Sequence, residues 1–493
     1  RTNSSRPALV YMSLVRPSYR RPSLQLFTCA TGTALCIDGF YSCCALSSGG
    51  ALCTRGLAYP ALIVLEQTIA FFTGTSQSFI MNQFTENARN ASEALRTLFD
   101  PTPLQLNDHL SQRYGAQIYL KREDLTPVRS YKLRGAFTAM RTAISKGARR
   151  FVCASAGNHA QGVAFACRHF GVQGTIFMPI TTPRQKIDKT RTFGGESVEI
   201  RLVGDYFDRT LAAAQEYCAE QGAHFLSPFD DHDVICGQAS VGVEILEQLD
   251  APPDIVILPV GGGGLSAGVT RYFRDMDQSS RFLYVEPQGG ASLTAALAAN
   301  EPVTLKRINN FVDGAAVARI GALTFAELKG TPPASVLLAP EDRVCITMLE
   351  MLNVEGIVLE PAGALSVDVL PSLATEIRGK TVVCVTSGGN FDFERLPEVK
   401  ERAQRYAGLK KYFILRMPQR PGALREFLGM LGPDDDIARF EYLKKSARNF
   451  GSVLIGIETS SADNFTQLAA KLDAAAFNFR DITEDEALAE FLV

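Results

Sequence analysis

Short apolar runs alternate with longer segments of helical periodicity between about residues 95 and 400. An apolar run bounded by turn residues is typical of a buried strand, and apolar positions three or four apart predict helices, as in residues 211–221 and 241–249. This alternation predicts an α/β fold with a mostly parallel sheet, in which ligands bind beyond the carboxyl ends of the strands. The predicted strands are residues 118–120, 151–154, 175–178, 255–258, 283–285 and 382–385.

The pattern changes after a charged helical segment at residues 396–406. From about residue 408 to residue 493, elements are predicted in the order β-α-β-β-α-β, which is typical of a ferredoxin-like domain. Pro421 lies at the entry of the first helix, a position that tolerates proline. The predicted strands are residues 412–417, 437–443, 452–458 and 477–482, and the predicted helices are residues 421–431 and 462–472.

Residues 1–80 have a different composition from the rest of the chain. Asp38 and Glu66 are their acidic residues, whereas arginine, serine and cysteine recur. This composition indicates an organellar transit peptide, or else an upstream extension outside the native fold with Met81 as the true start. In either case we expect the segment to be poorly ordered. No apolar run in the sequence reaches the roughly 20 residues that a membrane-spanning helix needs.

Charge and cysteine usage narrow the class of function. The chain has 493 residues and a formal net charge of −2, so a nucleic-acid partner is not expected. Its 11 cysteines lie at irregular spacings without a C-x-x-C pair, which indicates reduced thiols rather than a disulfide scaffold. These features predict a cytoplasmic protein, or an organellar one if the N-terminal segment is a transit peptide.

Lys132 lies at a predicted strand-to-helix crossover, within the sequence SYKLRGA at residues 130–136. A lysine in this position can form a Schiff base with an aldehyde when burial lowers its pKa. Taken alone, the residue is more typical of an ordinary solvated lysine at a helix start, since lysine is mostly exposed. The motifs that follow the other predicted strands decide between these two interpretations.

Three of those strands end in residues suited to a phosphorylated ring. Residues 155–162 offer small side chains and free helix-start N–H groups for a carboxylate, and Asn158 can bind a ring oxygen, unless it is a simple helix cap. Ser387 can face a heteroaromatic nitrogen, unless residues 386–390 form an ordinary turn. A run of glycines after residues 255–260 opens a helix and predicts a phosphate-binding turn, formed by Gly261, Gly262, Gly263 and Gly264.

Together these groups match what pyridoxal phosphate needs from a protein: a lysine, an amide for the ring hydroxyl, a glycine turn for the phosphate and a hydroxyl for the ring nitrogen. Residues 313–317 and 360–364 fit the walls of such a pocket. A serine rather than an aspartate at the ring nitrogen limits electron withdrawal, which favours β-elimination over transamination.

The motifs resemble those of the fold-type II pyridoxal-phosphate enzymes, and within them the biosynthetic, short-form threonine dehydratases (threonine deaminases). The resemblance runs from about residue 95 to the C-terminus and rests on residues 130–136, 155–162, 261–265, 360–364 and 387–390. It implies that Lys132 is the catalytic, Schiff-base lysine, that Asn158 contacts the 3′-oxygen and that Ser387 faces the ring nitrogen. Tyr131 departs from the family, which usually has phenylalanine beside the lysine.

The resemblance also assigns two groups of binding residues. The cofactor phosphate would be held by Gly261, Gly262, Gly263, Gly264 and Leu265. The substrate carboxylate would be held by the segment Ser155, Ala156, Gly157, Asn158 and His159. The imidazole of His159 invites a general-base role, but we interpret this side chain as structural.

The activity implied by the resemblance is the dehydration and deamination of L-threonine to 2-oxobutanoate and ammonia, the first step of isoleucine synthesis. Residues 408–493 resemble the ACT-like regulatory domain of these enzymes, present once, which implies inhibition by isoleucine; a purely structural dimerisation domain is the alternative. The resemblance further implies a homo-oligomer, either a dimer or a tetramer.

Two other functions stay open at this point. One is serine dehydratase or serine racemase chemistry on the same fold, and the other is a catalytically idle amino-acid sensor. The related serine racemases bind a divalent metal near the loop that matches residues 286–292, but Ser292 stands where the racemase has an aspartate. We therefore predict no divalent metal site, while a monovalent ion bound by carbonyl groups stays open.

Overall fold

The computed structural model describes residues 82–443 and 449–485, together with the backbone of three short strands near the N-terminus. Those strands, Leu24–Cys29, Gly32–Ile37 and Phe40–Tyr41, pair as an antiparallel sheet. Residues 1–80 and 81–493 form separate units. The expected poor order of residues 1–80 otherwise concerns residues outside the described part of the chain.

A six-stranded sheet forms the larger lobe. Five strands are parallel, and Leu104–Leu106 pairs antiparallel with Gln117–Arg122 at one edge. Both faces of the sheet are covered: Ile255 and Ile257 pack into one hydrophobic core, and Val256 and Leu258 pack into another. The central strands Ile255–Pro259 and Thr381–Thr386 are therefore buried on both faces instead of alternating. Their order across the sheet is Val336–Ala339, Arg281–Pro287, Ile255–Pro259, Thr381–Thr386, Gln117–Arg122 and Leu104–Leu106.

A second, four-stranded parallel sheet forms a smaller lobe with its own core around Met140, Phe151 and Ile176. Its strands lie in the order Val198–Leu202, Gln173–Met178, Arg150–Ala154 and His224–Phe225. The predicted α/β class with mostly parallel sheets is confirmed, and each of the six strands predicted for this region lies within an observed strand.

Two helices cross each other so closely that their backbones are in contact. A Cβ atom at Gly237 would lie 2.5 Å from the carbonyl oxygen of Arg134 and 2.8 Å from the Cα atom of Gly135. Glycine at these positions is thus what allows the helix Lys132–Ser145 to lie directly against the helix His232–Gln248.

Helices connect the strands of the two lobes. In chain order, the α-helices described before the C-terminal domain are Gln83–Leu95, Asp108–Tyr114, Lys132–Ser145, Asn158–Phe170, Arg184–Gly194, Phe207–Glu220, His232–Gln248, Gly264–Asp275, Ser292–Ala299, Ala322–Leu328, Glu341–Glu355, Pro361–Asp368, Leu370–Leu373 and Leu396–Tyr406.

The C-terminal domain has the predicted β-α-β-β-α-β order. Its antiparallel sheet is arranged as Asp436–Leu443, Phe450–Glu458, Lys410–Pro418 and Asn478–Asp481, and the helices are Ala423–Leu428 and Asp463–Ala474. One sheet face packs Leu415, Val453 and Ile455 against helix residues Phe427 and Leu468. The ferredoxin-like arrangement is therefore confirmed.

Among residues 82–443 and 449–485, none of the helices combines the length and the apolar character that crossing a membrane would require.

Candidate active site

Lys132 lies between the two lobes, as the first residue of the helix Lys132–Ser145. Just before it, the backbone N–H of Tyr131 donates to the carbonyl of Ser387 at 3.1 Å, and Ser130 forms a β-bridge with Gly388. These contacts tie the start of the lysine's helix to the residues that follow the strand Thr381–Thr386 of the larger sheet.

The ammonium group of Lys132 is poorly solvated. Its Nζ donates to the carbonyl of Pro228 at 2.8 Å and lies 5.3 Å from the ring centroid of Tyr131 and 5.9 Å from that of Phe229. Burial lowers the pKa of Lys132 from 10.5 to about 8, although the nearby Glu360 carboxylate acts in the opposite direction. A neutral amine is therefore within reach near neutral pH, as a nucleophile or a general base requires.

A buried network of charges holds the first turn of this helix. Arg134 is fully buried, and its guanidinium donates to Glu123 at 2.6 and 2.9 Å and to Glu244 at 2.7 and 2.8 Å. Lys121 donates to the same Glu244 at 2.6 Å. Two cations and two anions thus balance, so no unpaired charge is left in the low-dielectric interior.

Asn158 lies at the start of the helix Asn158–Phe170, and both ends of its amide have partners. Its Nδ2 donates to Glu360 Oε1 at 2.6 Å, and its Oδ1 accepts from Asn390 Nδ2 at 2.7 Å. The second hydrogen on Nδ2 is left for a ligand in the cleft.

The glycine run forms the predicted turn between the strand Ile255–Pro259 and the helix Gly264–Asp275. A Cβ atom at Gly262 would lie 2.2 Å from the ring of Phe229, and one at Gly261 would lie 2.9 Å from the Cα atom of Ala315. Gly263 has φ +87°, a left-handed conformation that favours glycine. Leu265 is buried in the core below the turn.

The backbone N–H groups of this turn are available to an anion. In the part of the chain that the structure describes, the N–H groups of Gly261, Gly262 and Gly263 donate to no other backbone or side-chain group. Free N–H groups at the start of a helix are a typical binding site for phosphate. The residues present therefore fit a phosphorylated cofactor.

Substituting Gly262 with alanine is expected to weaken cofactor binding about 5- to 150-fold, because overpacking of this kind costs about 1–3 kcal/mol. The new Cβ would displace the ring of Phe229, which packs on the glycine turn. The dissociation constant of pyridoxal phosphate, measured by titrating the cofactor-free protein, checks this expectation. Gly330→Ala is a matched control, because no atom lies within 4 Å of the added Cβ. If a folded Gly262→Ala protein bound pyridoxal phosphate as tightly as the wild type, the glycine turn would not be the phosphate-binding site.

Ser387 is buried at the end of the strand Thr381–Thr386. Its hydroxyl donates to the carbonyl of Ala362 at 3.1 Å, which places it beside the helix Pro361–Asp368. A hydroxyl can rotate from this carbonyl to a ring nitrogen at little cost, since it has a single donor hydrogen that turns about its C–O bond.

The predicted substrate loop lies at the start of the same helix as Asn158. Ser155 Oγ accepts from the N–H of Gly157 at 3.3 Å, and Ser155, Ala156 and Gly157 are all partly exposed. His159 differs from them: its ring is buried and its Nε2 lies 3.0 Å from the carbonyl oxygen of Leu226. Burial and the nearby charge of Lys132 lower the pKa of His159 to about 3, so the ring is neutral and has a structural contact.

Three participants carry no role in the sequence-based prediction. Pro228 and Phe229 connect Lys132 to the glycine turn, and Asn390 orients Asn158. The first two follow the short strand His224–Phe225, so the rule that ligands bind at the carboxyl ends of strands could have pointed to them. The two predicted wall segments lie against residues of the site. A Cβ atom at Gly261 would lie 2.9 Å from the Cα atom of Ala315, and the carbonyl of Ala362 accepts from Ser387.

In the loop at residues 286–292, the carboxylate of Glu286 has a structural role. Glu286 is buried and accepts from the N–H groups of Leu293 at 2.6 Å and Thr294 at 2.9 Å, at the start of the helix Ser292–Ala299. Among the described residues, no three His, Cys, Asp or Glu side chains group together in a way that could hold a metal ion.

Comparisons with known proteins agree with this geometry. Residues 95–388 match the family of pyridoxal-phosphate dependent enzymes, and residues 401–492 match the C-terminal regulatory domain of threonine dehydratase. The biosynthetic L-threonine dehydratase of Bacillus subtilis is 48% identical over 394 residues, which cover 80% of this chain and 93% of that protein. The corresponding protein of Mycobacterium tuberculosis is 48% identical over 388 residues, which cover 78% of this chain and 90% of that protein.

The chain belongs to the threonine dehydratase family. It is a lyase that depends on pyridoxal phosphate. Among solved structures, the processed form of threonine deaminase isoform 2 from Solanum lycopersicum has a TM-score of 0.61 and 34% identity, covering 66% of this chain and 89% of that one. Maize serine racemase, with a TM-score of 0.59 and 24% identity over 65% of this chain and 98% of its own, shares the fold.

Proposed function

We propose that the protein is a threonine ammonia-lyase, which converts L-threonine to 2-oxobutanoate and ammonia in the first step of isoleucine biosynthesis. The observation that carries this proposal is the half-buried amine of Lys132, joined through Pro228 and Phe229 to the glycine turn. The 48% identity to a biosynthetic L-threonine dehydratase along nearly its full length supports the substrate.

Bound pyridoxal phosphate would supply an electron sink for the negative charge that develops at the substrate Cα atom. Asn158 would donate to the cofactor's 3′-oxygen, and Ser387 would donate to its ring nitrogen. Its phosphate would accept from the N–H groups of Gly261, Gly262, Gly263, Gly264 and Leu265.

Among the protein's own residues, Lys132 has the main catalytic role. Its amine anchors the cofactor and then takes the proton from the substrate Cα atom as general base. The lowered pKa of about 8 suits this task, because an ordinary lysine keeps its proton at neutral pH. The backbone of Ser155 to Asn158 would hold the substrate carboxylate at the start of a helix, where N–H groups are free.

A hydroxyl at the ring nitrogen, as Ser387 offers, restrains electron withdrawal. With the cofactor bound, this restraint would favour elimination of the β-hydroxyl group over transamination. Selectivity between threonine and serine depends on one methyl group, which is worth about 1–3 kcal/mol in binding.

The first experiment is an assay of 2-oxo-acid production from L-threonine and from L-serine, each with and without isoleucine. Threonine turnover that isoleucine reduces supports the proposal. A larger kcat/KM for serine with no effect of isoleucine would replace it with serine dehydratase chemistry. If the protein binds pyridoxal phosphate but turns over neither amino acid, it is a catalytically idle amino-acid sensor.

The C-terminal domain is proposed to carry the isoleucine response. It is joined to the helix Leu396–Tyr406 by side-chain contacts, including an ion pair of Lys410 with Glu401 and a hydrogen bond of 2.9 Å from Tyr412 to Glu401. The helix in turn packs Val399 into the core of the larger lobe. Binding in the domain can therefore act on the catalytic lobe through one rigid element.

We expect that removing residues 408–493 leaves threonine turnover within a few-fold of the intact protein and abolishes inhibition by isoleucine. Allosteric coupling is worth typically 1–3 kcal/mol, or about 5–150-fold in affinity, and this coupling needs the domain that binds the effector. Inhibition curves of the intact and shortened proteins check the expectation. An unchanged curve would place the effector site in the catalytic lobes and favour the purely structural role.

The assembly and location of the protein stay predictions. A dimer or tetramer is expected from the family resemblance, and sedimentation of the purified protein would measure it. The location is expected to be the cytoplasm, or an organelle if the N-terminal segment is a transit peptide.

A further inference from the structure

Three side chains form a hydrogen-bonded chain at the edge of the candidate site, which we name the Asn390–Asn158–Glu360 chain. It begins at the carbonyl oxygen of Val128, which accepts from Asn390 Nδ2 at 2.8 Å. It continues from Asn390 Nδ2 to Asn158 Oδ1 at 2.7 Å and from Asn158 Nδ2 to Glu360 Oε1 at 2.6 Å. The chain thus joins residues from four separate segments.

Chemistry fixes the direction of every bond in this chain. A backbone carbonyl can only accept, so the group that Asn390 turns toward Val128 has to be its amino group. The same amino group faces Asn158, which has to present its oxygen in return. The amino group of Asn158 then has to point to the other side, where the Glu360 carboxylate accepts from it. The two neighbours together exclude the flipped amide.

Glu360 is itself held firmly in place. It is buried at the N-terminus of the helix Pro361–Asp368, and its backbone N–H donates to the carbonyl of Gly388 at 3.2 Å. A Cβ atom at Gly388 would lie 2.1 Å from Glu360 Oε1, so a glycine is needed there for the carboxylate to reach Asn158.

The charges around Glu360 come from several elements. Asp313 lies on the loop of the larger lobe and pairs with Lys186, while Lys189 approaches from the same helix as Lys186. The amine of Lys132 is a further neighbour. Burial and Asp313 raise the pKa of Glu360 to about 7, against the lowering effects of Asn158, Lys186 and Lys189.

We propose that Glu360 is a positioning residue that acts through Asn158, turning an amide N–H rather than an amide oxygen toward the 3′-oxygen of the bound cofactor. This inference rests on the proposed cofactor contact of Asn158. An N–H in that position stabilises negative charge on the 3′-oxygen, whereas an amide oxygen repels it. Glu360 thereby acts on the electronic state of the cofactor without touching it.

The test compares two substitutions at Glu360 and reads the cofactor directly. We expect Glu360→Ala to weaken pyridoxal phosphate binding about tenfold and to reduce the long-wavelength absorbance of the bound cofactor, because Asn158 loses its charged acceptor. Glu360→Gln should restore the affinity to within about threefold, since its amide oxygen still accepts from Asn158. It should also flatten the change in the bound cofactor's spectrum between pH 6 and pH 8, since it carries no titrating charge.

Asp368→Asn is the matched control, because Asp368 is a buried carboxylate at the other end of the same helix, where it accepts from Arg343 and Thr347. It should leave the cofactor spectrum unchanged. If Glu360→Ala does not fold, Asn390→Ala removes the other support of the same amide and should reduce the same absorbance.

Two results would overturn the inference. One is a folded Glu360→Ala protein with wild-type affinity and spectrum, and the other is a Glu360→Gln protein as weak as Glu360→Ala. The proposed function is judged separately by threonine turnover of the wild-type protein. A wild-type protein that binds the cofactor without turning over threonine would refute the proposed function. The differences in cofactor spectrum between the Glu360 variants and the wild type would still decide the role of Glu360.

Discussion

Lys132→Ala is expected to lower threonine turnover by at least about 10⁴-fold and to remove the absorbance of the lysine-bound cofactor. The substitution takes away both the covalent attachment and the general base, and the base alone contributes about 10²–10⁴-fold in typical enzymes. Steady-state rates of 2-oxobutanoate formation and an absorbance spectrum with added pyridoxal phosphate measure the two effects.

The control for this variant is Lys146→Ala, which removes an exposed lysine at the other end of the same helix. It should keep both turnover and spectrum. Retention of either property by Lys132→Ala would refute the role of Lys132, provided that the thermal unfolding of the variant matches that of the wild type.

Arg134→Met is expected to destabilise the protein by about 3–5 kcal/mol, because it leaves Glu123 and Glu244 buried with insufficient positive charge. Arg134 is fully buried and its guanidinium makes bonds of 2.6–2.9 Å to both carboxylates. Denaturant unfolding monitored in the cofactor-free protein gives the change in free energy of unfolding.

Arg184→Met provides the comparison, since the side chain of Arg184 is 93% exposed and its contact with Asp188 is a surface i,i+4 pair at 3.5 Å. It should change the unfolding transition little. A similarly small effect of Arg134→Met would mean that the two glutamates take up protons and tolerate the loss, and that the network is not what fixes the first turn of the helix.

Much of the fold follows from local pattern. The strands Ile255–Pro259 and Thr381–Thr386 consist mostly of apolar residues because both faces of the sheet are covered, and such runs can be recognised in the sequence. The glycine run could be placed at a turn for a similarly local reason, since Gly263 takes a left-handed conformation that other residues rarely adopt. The order of elements in residues 408–493 is by itself enough to predict the ferredoxin-like arrangement of the C-terminal domain.

The contacts that complete the site depend on residues far apart in the sequence. Glu244 lies 110 positions from Arg134, and Glu360 lies 202 positions from Asn158. No periodicity or spacing connects such pairs, because their distance is set by how the strands are ordered across the sheet. The sequence therefore predicted which motifs face the cleft but not which side chains hold them in position.

Lys132 is attached to both lobes at once. Its helix packs Ala136 and Ala139 into the core of the smaller lobe, while the residues before it bond to Ser387 and Gly388 of the larger lobe. A hinge rotation of the lobes about this attachment would separate outlying contacts such as Lys186 with Asp313, yet would displace the amine very little, because points near a rotation axis move least. A cleft that opened by such a rotation would admit substrate while the amine of Lys132 kept its position.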